Sequence, residues 1–129
     1  MIKVKIITPV GLYMDEEVEA INVRTIDGET TILSHHMPIV AMLQTCKCSL
    51  KIKGEYKPYA LAGGLLQYRE DEMHILTDAI EGKEEIDIER AKRAKERAEN
   101  RLAKTDAKNT QRAEAALAKA MNRINVYQE

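Results

Sequence analysis

From Met1 to about Thr77 apolar and polar residues alternate in short runs: Ile2, Val4 and Ile6; Val18 with Ala20, or Ile21 with Val23; Leu50 and Ile52; Met73 and Ile75. A period of two predicts strands with one buried face. Turn-forming residues punctuate the runs at Pro9 with Gly11, Asp27-Gly28, Gly54, Pro58, Gly63-Gly64 and Glu70-Asp71. Short strands separated by turns about every ten residues predict an N-terminal antiparallel β-sandwich, placed here at residues 1–82, with a thin aliphatic core.

Beyond Glu81-Gly82 the pattern changes: from Lys83 to the end there is no proline or glycine, and alanine becomes the commonest residue. The period is now helical. Asp87 suits an N-cap, with Glu84, Glu85 and Glu89 near the positive end of the helix dipole. A break over Lys104 to Asn109, with Thr105 or Asp106 able to cap the second helix, divides the segment into a C-terminal antiparallel two-helix hairpin, residues 83–129. Steps of 100° place Ala91, Ala94, Ala98 and Leu102 on one stripe, and Ala113, Ala116, Leu117, Ala120 and Ile124 on another. A seam of alanines allows close approach but removes little apolar area from water, at roughly 25 cal/mol per Å². Such a hairpin reads equally as a weakly held movable unit or as a rigid arm docked on the sandwich.

Composition narrows the function. The 129 residues suffice for one small domain and an appendage, and the net charge of −1 gives no general attraction for nucleic acid. No apolar run approaches the roughly 20 residues of a membrane span, and the opening "MIKVKIITP" lacks the apolar core of a signal peptide. Cys46 and Cys48, two apart on a strand, share a face but are poorly placed for a mutual disulfide. With His35 and His36 they do not have zinc-ligand spacing, so no metal site is expected. Three histidines and no nucleophile-base pair give no catalytic constellation, and there is no phosphate-binding P-loop.

Charge is patterned locally. Arg90, Arg93, Arg97 and Arg101 fall on one flank of the first helix, and Arg112, Lys119 and Arg123 on the corresponding flank of the second. Brought together in an antiparallel pair, two basic stripes want an anion or a row of carboxylates between them. Intrahelical pairs such as Glu89-Arg93 or Arg93-Glu96 would instead absorb the charge on a solvated face.

The segments "ITPVGLYMDEEVEAINVRTIDGE", "ILSHHMPIVAML", "ALAGGLL", "EEIDIERAKRAKERAENRL" and "ALAKAMNRINV" together make the chain resemble the epsilon subunit of bacterial F-type ATP synthases over its whole length. The resemblance implies a non-catalytic rotor component peripheral to the cytoplasmic face of the membrane. Its sandwich would bind the gamma subunit and rest on the c-ring, coupling ion flow to ATP synthesis. Its hairpin would lie folded on the sandwich or extend into the alpha/beta catalytic head and block ATP hydrolysis. Some family members bind regulatory ATP through an I/L-D-x-x-R-A motif, which stands here as Ile86, Asp87, Arg90 and Ala91 at its fixed positions. Glu81, Arg97 and Arg123 match further positions of that site. Lys119 stands where ATP-binding members have an arginine, a point charge in place of a planar fork. Arg93, Arg101, Arg112 and Lys119 would form the basic edge toward the catalytic head. Glu29, His36, Met37 and Pro38 resemble the c-ring and gamma contacts. Thr31, Ser34 and His35 replace the family's glycine and Pro-Gly in that loop, which implies a different turn. The rival reading from the residues is a free-standing adaptor whose basic hairpin binds acidic proteins.

Overall fold

The computed structural model describes residues 1–104 and 107–128. Eight strands come first: β1 (Ile2–Thr8), β2 (Gly11–Val18), β3 (Ala20–Thr25), β4 (Gly28–Leu33), β5 (Ile39–Ile52), β6 (Glu55–Arg69), β7 (Glu72–Leu76) and β8 (Ile80–Gly82). A 3-10 turn (Lys83–Glu85) leads into two helices, α1 (Ile88–Lys104) and α2 (Ala107–Gln128). The residues considered above as caps of the second helix, Thr105 and Asp106, lie outside the described residues.

The strands run in the order β2-β1-β7-β6-β5-β3-β4, with β8 also paired to β6. They curl into a sandwich because β5 and β6 are long enough to serve both layers: β6 pairs with β8 through Tyr59, Ala60 and Leu61, and with β7 from Leu65 to Arg69. Between these two stretches lie Gly63 and Gly64, at φ +88° and +133°. The glycines expected to end a strand therefore bend one. Gly64 must lack a side chain, since a Cβ there would come within 2.0 Å of the Leu76 carbonyl oxygen. Pro58, also expected in a turn, lies within β6 opposite Ser49, one residue before the β8 pairing begins at Tyr59. A residue without an N–H is tolerated where the strand is paired on one edge.

The sandwich is not wholly antiparallel. β1 and β7 run parallel, from Lys3 opposite Glu72 to Ile7 opposite Leu76. The alternation read from sequence otherwise holds: Ile2, Val4, Ile6, Val23, Leu50, Met73 and Ile75 are all fully buried. Val18, Ala20 and Ile21 are buried together, because β2 ends at Val18 and β3 begins at Ala20, so the alternation restarts there. Cys46 and Cys48 are free thiols within this core, and burial pushes both thiols up from their ordinary ionisation range.

Candidate functional site

The hairpin lies folded against the outside of the sandwich, and the junction between them gathers several of the residues singled out from sequence. Each helix contributes in its own way. In α1 the seam is as expected, with Ala91 and Ala98 buried and Ala94 and Leu102 half-buried. Ala113 and Ala120 are buried in α2, and Ala116, Leu117 and Ile124 half-buried. Asp87 caps α1: its Oδ1 accepts the Arg90 backbone N–H at 3.1 Å, and its carbonyl accepts from Ala91 at 3.0 Å.

The docking face of α2 is a different stripe. Lys119, Asn122, Arg123 and Val126 recur at i, i+3, i+4 and i+7, and so lie together on one side of the helix. Val126 is fully buried in a small cluster with Ile86 and Ala60 of β6. The Asn122 Nδ2 donates to the carbonyl oxygens of Cys46 at 2.7 Å and Leu61 at 3.4 Å, a cross-strand pair of β5 and β6. The Arg123 Nε donates to Glu81 Oε1 of β8 at 2.8 Å. Sequence reasoning missed Asn122 and Val126. The signal was present in the i, i+3, i+4, i+7 spacing, but a stripe of one apolar and three polar residues does not look buried.

This alters the picture of two facing basic stripes. Arg123 is answered by Glu81, so part of the α2 flank belongs to the junction and is neutralised there. On α1, Arg90, Arg93, Arg97 and Arg101 are not buried, and none of them makes an ion pair among the described residues. The helix pair that does form is Lys95 with Glu99 at 3.8 Å, not Glu89-Arg93 or Arg93-Glu96. Of the seven expected nucleotide-site residues, the structure joins Glu81 to Arg123, and Asp87 to Arg90 and Ala91 through the cap. Ile86 is packed among apolar groups, and Arg97 stands apart on the open flank. Arg112 is exposed and Lys119 half-buried.

At the other candidate region, Glu29 and Thr31 lie within β4 and not in a loop, paired with Arg24 and Asn22 of β3, while Met37 and Pro38 lie in the loop that follows; Glu29, Met37 and Pro38 are exposed. His36 is engaged within the molecule: its Nδ1 lies 2.7 Å from the Met37 carbonyl, and its ring meets Tyr68 edge-on at 5.8 Å. His35 takes the left-handed backbone that favours glycine, at φ +65°. Its N–H donates to Asp71 Oδ1 at 2.8 Å, and Tyr68 donates to the same oxygen at 2.5 Å. These bonds, Tyr68's first, hold the Asp71 carboxyl below its ordinary range. The amino group of Met1 donates to Ser34 Oγ at 3.0 Å, tying the chain's start to the same loop.

The combination of a β-sandwich and a folded two-helix hairpin is shared with known proteins. Residues 1–83 match the family model "ATP synthase, Delta/Epsilon chain, beta-sandwich domain", and residues 84–128 match "ATP synthase, Delta/Epsilon chain, long alpha-helix domain". The chain belongs to the ATP synthase delta/epsilon family. Among its relatives, the ATP synthase epsilon chain of Clostridium novyi (strain NT) is 44% identical over 125 residues, covering 96% of this chain and 95% of the relative. That of Bacillus velezensis (strain DSM 23117 / BGSC 10A6 / LMG 26770 / FZB42) is 44% identical over 126 residues, covering 97% and 96%. A chain in the structure of the Euglena gracilis mitochondrial ATP synthase, OSCP/F1/c-ring in rotational state 1, superposes with a TM-score of 0.85 at 24% identity, covering 99% of this chain and 81% of that one. At that identity the likeness speaks for the fold. Among the described residues no helix is long and apolar enough to cross a membrane.

Proposed function

We propose that this family member is a non-catalytic central-stalk subunit of an F-type ATP synthase, peripheral to the cytoplasmic face of the membrane. Its sandwich binds the gamma subunit and rests on the c-ring, coupling ion translocation to ATP synthesis in the alpha/beta head. Its hairpin is the regulatory part: folded, it leaves ATP hydrolysis free, and extended, it inserts its basic face into the head and stops hydrolysis.

The observation that supports the switch is how small the docking cluster is among the described residues. Val126 and Ile86 contribute roughly 1.5–3 kcal/mol each by burial. The Asn122 amide adds about 1 kcal/mol, and the partly exposed Arg123-Glu81 pair about 0–1 kcal/mol. Against these stands the entropy of fixing the junction, which brings the balance toward the few kcal/mol that a ligand can shift. The four arginines of α1, which make no ion pair among the described residues, supply a surface for acidic groups of the head or for phosphate. ATP, held by Arg90 and Arg97 with Glu81, Ile86, Asp87, Ala91 and Arg123 around it, would favour the folded state.

Co-expression with gamma, alpha and beta tests the reading. The chain is expected to be retained by gamma and then by the head, and removal of residues 84–129 is expected to raise ATP hydrolysis. A chain that is not retained would be a free adaptor. Calorimetric titration with ATP, run beside Arg90→Ala and Arg97→Ala, tests the sensor: both substitutions are expected to abolish binding.

A further inference from the structure

Between sandwich and hairpin the chain runs through two segments that are held very differently. Gly82 closes β8, and its N–H donates to Glu85 Oε1 at 2.9 Å, so the carboxylate folds back over the 3-10 turn. The same oxygen accepts from the phenol of Tyr13 on β2, whose ring meets Tyr59 of β6 edge-on at 6.4 Å. Gly82 gives this arrangement its room: a Cβ there would lie 3.2 Å from Glu85 Oε1 and 3.3 Å from the Tyr59 ring. Burial, and then the bond to Glu85, push the Tyr13 phenol well above the usual tyrosine range. Residues 83–85 are thereby fastened to two separate strands of the sandwich.

The next residue is held by packing and not by side-chain hydrogen bonds. Ile86 is extended, at φ −77° and ψ 122°, and its N–H reaches the Lys83 carbonyl at a long 3.5 Å. Its side chain is buried in a cluster with Ala60 of β6 and Val126 of α2, and only the Val126 part of that cluster depends on α2 being docked. At Asp87 the cap of α1 begins, and hydrogen bonds from the Arg90 and Ala91 N–H groups tie it to the helix. One extended residue thus separates a turn anchored to the sandwich from a helix anchored to the hairpin.

We infer that the hairpin swings about Ile86-Asp87, with Glu85 acting as a fixed pin between Tyr13 and Gly82, so that the 3-10 turn stays with the sandwich and the movable unit begins beyond it. Tyr13, Gly82 and Glu85 are positioning residues for this hinge. The inference rests on the switch proposed above, and names where that switch turns. Its consequence is mechanical: a pinned base fixes the direction from which α1 leaves the sandwich, whereas a free linker from Lys83 onward would let it leave at any angle.

Amide hydrogen exchange by NMR on the full chain tests it, with Val126→Asp used to release α2 by placing a charge in an apolar pocket. The sandwich core is a separate cluster, so this variant should keep its fold. The expected result is that the α1 and α2 amides exchange roughly tenfold faster or more, while the Gly82 amide and the raised titration of Tyr13 stay as in the parent. In the same background Glu85→Ala should free the Gly82 amide and lower the Tyr13 phenol only part of the way, since burial still holds it up, and Glu85→Gln, which can still accept both bonds, should restore Gly82 protection. If Gly82 opens together with the helices in Val126→Asp, the hinge lies earlier and the inference fails, while the switch stands. If the helices stay protected in Val126→Asp, the junction is not a releasable contact, and the switch reading falls with the hinge.

Discussion

Asn122 is a single polar side chain with an effect out of proportion to its size. Its amide meets the carbonyls of Cys46 and Leu61, which sit on adjacent strands, so it registers α2 against both at once. Asn122→Ala is expected to weaken docking by about 1 kcal/mol, which is about a fivefold rise in the undocked fraction. Exchange rates of the α2 amides in the isolated chain would report it. Asp71 makes a second residue-scale case, with the opposite chemistry. Its carboxyl is held low in the folded state, so its contribution to stability is present above the ordinary carboxylate range and is lost as the pH falls through the folded value. The Tyr68 and His35 resonances should therefore shift together on acidification, and Asp71→Asn should remove that transition. The sequence announced a departure in this loop at Ser34 and His35. It did not announce the remedy, because the compensating carboxylate lies 36 residues away.

At the scale of elements, β6 shows where sequence reading succeeds and where it stops. None of the alternating runs read from the sequence falls in β6, whose burial does not alternate over most of its length, and Gly63-Gly64 is legible there only as backbone needing unusual φ. Whether that backbone reverses the chain or bends it depends on partners, since turns and bulges ask for the same residue. Here β5 continues opposite β6 on both sides of the glycines, pairing Met42 with Leu65 and Thr45 with Ala62, so the strand bends and persists. Gly64→Ala would combine a positive φ with a clash against the Leu76 carbonyl, and should cost about 3 kcal/mol or more. At Gly54, with φ +79° and nothing within 4 Å, alanine should cost about 1–2 kcal/mol, the penalty of the left-handed backbone alone. Urea unfolding midpoints for the two variants would separate steric from torsional cost. The helices were more legible than the strands, because their seam residues contact each other within one hairpin and obey one period. The docking stripe was not, because its partners are backbone carbonyls and a glutamate of the sandwich, which no helical period reveals.

For the whole molecule, the question is whether contacts this small can govern a rotary assembly, and the magnitudes give an answer open to test. In the assembled complex, Asn122→Ala should move the hairpin toward extension by the same factor of about five, and ATP hydrolysis should fall accordingly. A ligand that binds the folded state and is present at about 100 times its Kd adds roughly 2.7 kcal/mol, enough to overcome that loss and restore hydrolysis. Val126→Asp removes the apolar core of the junction and disfavours re-docking by more than such a ligand supplies, so its hydrolysis should stay low at any ATP concentration. Comparing the two variants over an ATP titration distinguishes a balance from a simple lesion. A graded response in Asn122→Ala with none in Val126→Asp is the pattern of two states biased by one junction. Equal, ATP-independent activity in both would mean that the docked hairpin does not set the rate of hydrolysis.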